Sequence, residues 1–240
     1  MDSKLVRASL AELIGTFTLV FVGCMAVIVT ATPDTNASVI VPALAHGLIL
    51  VGLVYGFGHI SGTHINPAVT AGLLVGGKVS IIEAVAYWIA QFVGGIVAAF
   101  IVVAILPDPA NYGQTKGILT DTHVWNAAVF EAILTFFLVT TVYQAAVYEK
   151  AGNAAGMAIG LTLAASILAG GVFTGASLNP ARTLGPALAA GDFSYVVPYL
   201  IGIFAGGILA GALHAFVLEP EPAAPVPDYP LTQADQKRNS

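Results

Sequence analysis

Apolar residues run along this chain in six long blocks, near 8–31, 39–60, 81–106, 124–148, 154–173 and 195–218. Each is long enough for a helix to cross a bilayer, which takes about 20 apolar residues. A buried soluble core does not need six such runs in 240 residues. The first block is too long for a removable signal peptide and lacks a small-residue cleavage site. The pattern predicts six transmembrane helices. Two further apolar pieces, Ala68 to Val75 and Ala181 to Ala190, are too short to span.

Composition sharpens this picture. The chain is 57% hydrophobic and 9% charged, against about 25% charged in ordinary soluble domains. Its few basic residues set the orientation. An even number of spans leaves both termini on one side. Placing them in the cytoplasm puts Lys4, Arg7, Lys78, Lys150, Lys237 and Arg238 inside and Lys116 outside, as the positive-inside rule asks. The cell membrane (plasma or inner) is the expected location, with the vacuolar membrane as the alternative. A net charge of −5 gives no sign of nucleic-acid binding. Cys24 is the single cysteine, so there is no intrachain disulfide and no cysteine-based metal site. No cofactor is expected. Residues 219–240 are polar and Pro-rich and read as a flexible cytoplasmic tail.

The two halves repeat each other. Aligning Glu12 with Glu131 brings Ile14, Thr16, Phe17, Leu19 and Val20 onto Ile133, Thr135, Phe136, Leu138 and Val139. Later, the stretch from Phe92 to Ala98 matches that from Phe204 to Ala210. The repeats cover about 8–106 and 124–218, joined by a loop at 107–123, and residues 1–218 read as one domain. Each half holds three spans, an odd number, so the second enters the membrane from the opposite face. Inverted repeats of this kind place their functional sites near the midplane.

The repeated tripeptides Asn66-Pro67-Ala68 and Asn179-Pro180-Ala181 stand between the second and third spans of each half. Asn followed by Pro reads as a helix start: Asn caps free backbone N–H groups, and Pro suits the first helical position. Nine helical residues measure about 13 Å, so two such pieces end to end nearly match the hydrocarbon thickness. Entering from opposite sides, they would meet at their positive N-termini. Re-entrant backbone survives at that depth only inside protein or along a wet cavity. The expected result is a narrow aqueous path with Asn66 and Asn179 on its wall. Arg182, one turn after Asn179, should face the same lumen. A buried charge there is costly and points to a role.

The run from Gly58 to Thr70 and the segment Asn179-Pro180-Ala181-Arg182 resemble the aquaporin, or major intrinsic protein, family over roughly residues 8–218. The resemblance implies an all-α membrane fold of six transmembrane helices and two re-entrant half-helices, and a homotetramer with one pore per subunit. It implies passive conduction of water with exclusion of protons and cations. In aquaporin-type pores the established account is that midplane donors and helix dipoles orient the water file, and it is applied here to these residues. Glu12 and Glu131 read either as a proton relay or, as the resemblance favours, as acceptors bracing the re-entrant loop of their own half. Gln91 and His64 are expected to help them.

The resemblance also assigns a constriction to His46, Ile167, Ala176 and Arg182. Strict water channels usually carry Phe and His where this chain has His46 and Ile167. The combination is similar to the plant tonoplast intrinsic protein branch, and implies a wider, less polar filter that passes ammonia with water. Glycerol facilitators of the family carry Asp after the filter arginine and aromatic residues beside it, whereas this chain has Thr183, Ile167 and Ala176. A glycerol facilitator, or a secondary transporter using the same inverted-repeat logic, is the alternative. No nucleophile–base pair or metal-ligand cluster marks an enzyme. The partners expected are water, small neutral solutes including ammonia, and lipid.

Overall fold

The computed structural model describes residues 2–32 and 38–220; most of the tail, with Lys237 and Arg238, lies outside them. Among the described residues six helices are long and apolar enough to cross a membrane. These are α1 (Ser3–Ala31), α2 (Ile40–Ser61), α4 (Ile81–Ile105), α6 (Val124–Val142), α7 (Ala155–Thr174) and α9 (Val196–Phe216). Between them lie two short helices, α3 (Pro67–Val75) and α8 (Pro180–Ala190), and a single turn, α5 (Ile118–Thr122). The chain is an integral, multi-pass membrane protein.

The sequence reading differs from this at a few edges, each with a local cause. The first helix starts at Ser3, because the Asp2 side chain accepts from the Lys4 N–H and caps it. The fourth span leaves α geometry at Tyr143 and continues as a π-turn to Val147. The 107–123 connection is more ordered than a loop. It forms a 3₁₀ turn at Ala110–Gly113 and then α5, whose buried Thr120 hydroxyl meets the Tyr199 hydroxyl at 2.7 Å.

α2 and α7 end alike, in a glycine with left-handed backbone (Gly62 and Gly175, each φ 81°) that turns the chain back toward the membrane centre. α3 and α8 then begin there. Each half-helix packs on the last helix of the other half, α3 on α9 and α8 on α4. Glycine permits this contact. A Cβ on Gly207 would lie 2.4 Å from the Ala68 carbonyl oxygen, and one on Gly95 would lie 2.8 Å from that of Ala181. α2 and α7 pack together across the two halves. On the cytoplasmic side, Lys78 beyond α3 pairs with Glu219 beyond α9 at 2.9 Å. Many large apolar side chains, such as Leu48, Ile82 and Val197, are exposed, as on a lipid-facing surface.

Candidate functional site

Two carboxylates build the site from below. Glu12 is fully buried. Its oxygens accept from the Ser61 hydroxyl (2.6 Å), the His64 N–H (2.9 Å), the Ile65 N–H (2.5 Å) and the Gln91 amide (2.8 Å). Glu131, equally buried, accepts from the Thr174 hydroxyl (2.8 Å) and the N–H groups of Ser177 (2.9 Å) and Leu178 (2.8 Å). Each therefore ties down the turn of its own half. A buried N–H without a partner costs about 1–3 kcal/mol, so the carboxylates satisfy donors that the turn leaves free. Both turns carry left-handed non-glycine residues, Thr63 and Ile65 in one, Ala176 and Leu178 in the other. Such backbone persists only where its surroundings over-determine it. Gln91 and His64 complete the first half: the amide of Gln91 also reaches the Thr70 hydroxyl at 2.9 Å, and His64 Nδ1 meets the same oxygen at 3.1 Å. In the second half the Ser177 hydroxyl meets Thr183 at 2.6 Å.

Held this way, the asparagines cap the half-helices. Asn66 Oδ1 accepts from the Ala68 N–H at 2.9 Å; Asn179 Oδ1 accepts from Ala181 at 2.9 Å and Arg182 at 3.3 Å. Pro67 and Pro180 occupy the first helical position. The amide nitrogens cross over. Asn66 Nδ2 donates to the Leu178 carbonyl (2.8 Å), and Asn179 Nδ2 donates to the Ile65 carbonyl (2.9 Å). Of the two N–H bonds on each amide, one is thus used to join the halves, leaving one each for anything between them.

What lies between them is a cavity of about 50 Å³, large enough for a short file of waters. Asn66, Asn179, His46 and Arg182 line it, together with apolar side chains including Leu50, Val69, Leu138 and Leu163. The Arg182 side chain donates from Nε to His46 Nε2 at 3.2 Å and from Nη1 to the Gly113 carbonyl at 2.7 Å. Nη2 has no partner among the described residues. His46 Nδ1 lies 2.7 Å from the Pro42 carbonyl. A carbonyl can only accept, so the ring carries its proton on Nδ1 and offers Nε2 as the acceptor for arginine. Pro42 also lines a second cavity of about 240 Å³ on the outer side, with Ile167, Gln114 and Lys116. His46 and Arg182 line the first space, and Pro42, one helical turn before His46, lines the second.

The four residues assigned to the constriction are thus not all brought into one space. His46 and Arg182 meet, Ile167 faces the outer cavity, and Ala176 is buried and lines neither of these two cavities. Sequence reasoning missed Gly113, whose contribution is a backbone carbonyl. It also gave no role to Ser61 and Thr174, although both are repeated at matching positions and now prove to be donors to the two glutamates. The Cys24 side chain is fully buried in α1. Water permeability is therefore expected to survive mercuric ion, measured by light scattering before and after treatment. Block of the wild-type chain would contradict that burial.

Six spanning helices around two capped half-helices, with a cavity edged by asparagine and arginine donors where their N-termini meet, define a membrane channel. Residues 1–214 match the family model described as "Major intrinsic protein", and the chain belongs to that family. Similar proteins include "Aquaporin TIP2-1" of Arabidopsis thaliana, 42% identical, with 88% of this chain and 87% of that one covered. "Aquaporin TIP1-1" of Zea mays is 39% identical, with 93% and 92% covered. Among solved structures, an aquaglyceroporin from Plasmodium falciparum superposes with a TM-score of 0.77, covering 90% of this chain and 98% of its own. At 23% identity that likeness shows the fold alone.

Proposed function

We propose that this protein is a passive channel for water and ammonia that rejects protons and other cations. The observation that carries the reading is the pair of asparagine amides at the junction of α3 and α8, each with one N–H left over beside the same cavity. A water between them accepts from both and turns its own hydrogens outward, which interrupts the donor chain a proton needs. The positive ends of two half-helices and the Arg182 guanidinium add repulsion toward cations.

Under this reading His46 and Arg182 set what passes, with Ile167 on the wall of the outer cavity. With Nε2 engaged by arginine and no aromatic residue opposite, the wall is polar on one side and apolar on the other. A small neutral molecule that can both donate and accept fits such a wall. Residues 1–218 act as one channel unit, and a homotetramer is its assembled form. The likeness to TIP relatives favours the vacuolar membrane of the two considered.

Reconstituted proteoliposomes test the reading. They should shrink in an osmotic gradient faster than protein-free vesicles, without an ion gradient and without saturation. Under an inward ammonia gradient their lumen should alkalinise faster than that of controls. Equal shrinkage rates would overturn the channel; equal alkalinisation would remove ammonia and leave water.

A further inference from the structure

The segment that supplies the Gly113 carbonyl is held by a group outside the constriction. Asn111, Tyr112 and Gly113 all have left-handed backbone, at φ 53°, 49° and 68°. The segment is pressed onto α1: a Cβ on Gly113 would lie 2.6 Å from that of Cys24. It is also pressed onto the end of α7, where a Cβ on Gly117 would lie 2.4 Å from the Phe173 carbonyl carbon. Backbone so bent keeps its shape only if something fixes it.

Lys116 is placed to do this. Its ammonium lies 2.9 Å from Asp192 Oδ2 and 3.1 Å from Asp121 Oδ1, and 5.6 Å from the centre of the Tyr195 ring. Asp192 comes just after Gly191, the cap of α8, the helix whose first turn carries Arg182. A ring of contacts results: Arg182 to the Gly113 carbonyl, along the chain to Lys116, across to Asp192, and back through α8. The two aspartates are unequal partners. The Asp192 side chain is 30% accessible and that of Asp121 is 71%, so the Asp192 pair is the better shielded from water. The Ser194 hydroxyl, and then the Lys116 ammonium, hold the Asp192 carboxyl down at about 2. Burial opposes the charge on Lys116, but its hydrogen bonds to Asp192 and Asp121 outweigh this and raise its pKa. Both groups stay charged at any pH a membrane protein normally meets.

We propose that Lys116 is a positioning residue of the constriction, clamping the outer segment to the end of α8 so that the Gly113 carbonyl holds the Arg182 guanidinium in place. The proposal rests on the channel reading above. Without the clamp the carbonyl drifts, Arg182 loses its Nη1 acceptor, and the passage beside His46 loosens. A solute larger than water should gain more from this than water does.

The test is the ratio of urea to water permeability in proteoliposomes, which does not depend on how much protein inserts. Lys116→Met should raise the ratio about fivefold, the scale of a partly exposed ion pair, and Lys116→Arg should restore it. Asp192→Asn removes the charge facing Lys116 while keeping an oxygen for Ser194, whose N–H and hydroxyl Asp192 Oδ1 accepts. It should move the ratio the same way, and it serves if Lys116→Met does not assemble. Asp121→Asn should leave the ratio unchanged. A wild-type ratio in Lys116→Met and Asp192→Asn, with water permeability intact, would overturn the proposal, as would an elevated ratio that Lys116→Arg fails to lower. A wild-type chain that conducts no water would instead overturn the channel reading itself.

Discussion

Arg182→Ala should leave water permeability at or above the wild-type value and raise cation conductance at least about tenfold. The size follows from electrostatics. Two unit charges about 4 Å apart interact by about 4 kcal/mol at an effective dielectric of 20, and each 1.4 kcal/mol is a factor of ten. Even a third of that repulsion, lost with the guanidinium, gives the stated change. The side chain is 1% exposed, so bulk water does little to screen it. Its removal also frees His46 Nε2 and the Gly113 carbonyl, adding two acceptors that suit a cation. Water loses no obligatory partner, because the asparagine donors lie deeper in the cavity. The measurement is ion current across planar bilayers alongside osmotic permeability of the same preparation. Unchanged current would remove Arg182 from the barrier and leave the half-helix dipoles to account for exclusion.

Glu131→Ala is expected to destabilise the protein by about 3 kcal/mol or more and to abolish conduction. Two backbone N–H groups, of Ser177 and Leu178, and the Thr174 hydroxyl lose their acceptor together. At about 1–3 kcal/mol for each buried donor left unpaired, the sum exceeds the effect of most single substitutions. The turn they form carries Asn179 and leads into Arg182, so its collapse removes both the cap of α8 and the constriction. Thermal unfolding in detergent and osmotic permeability report the two consequences separately. A variant that melts and conducts like the wild type would show that the turn holds its form without the carboxylate. A stable variant that loses only proton exclusion would favour the relay role set aside here.

The spans and the tripeptides were legible because their signals are local or repeated. Six apolar blocks, two Asn-Pro starts and two matched glutamates need no knowledge of distant contacts. Ser61 with Thr174 was equally visible as a repeated pair, and only its role was overlooked. Gly113 was not legible in the same way. Its function rests on a carbonyl, which every residue has, reaching a guanidinium 69 positions further along the chain. Lys116 was plain as the basic residue of the outer side, but its partner Asp192 follows a helix with no sequence link to it. The π-turn after Val142 and the 3₁₀ turn at Ala110–Gly113 likewise arise from packing, which overrides local preference.

By itself, the order of residues determined the solvent in which this protein lives, the number of crossings, the inverted repeat and the two capped helix starts. Those follow from transfer free energies and capping preferences that add up along a short window of chain. The tertiary structure alone decided which groups Arg182 binds, which nitrogen of His46 accepts from it, and how many donors each asparagine keeps. Such choices depend on where a distant carbonyl comes to rest. A hydrogen bond is directional and short, and no property of either residue alone specifies that meeting.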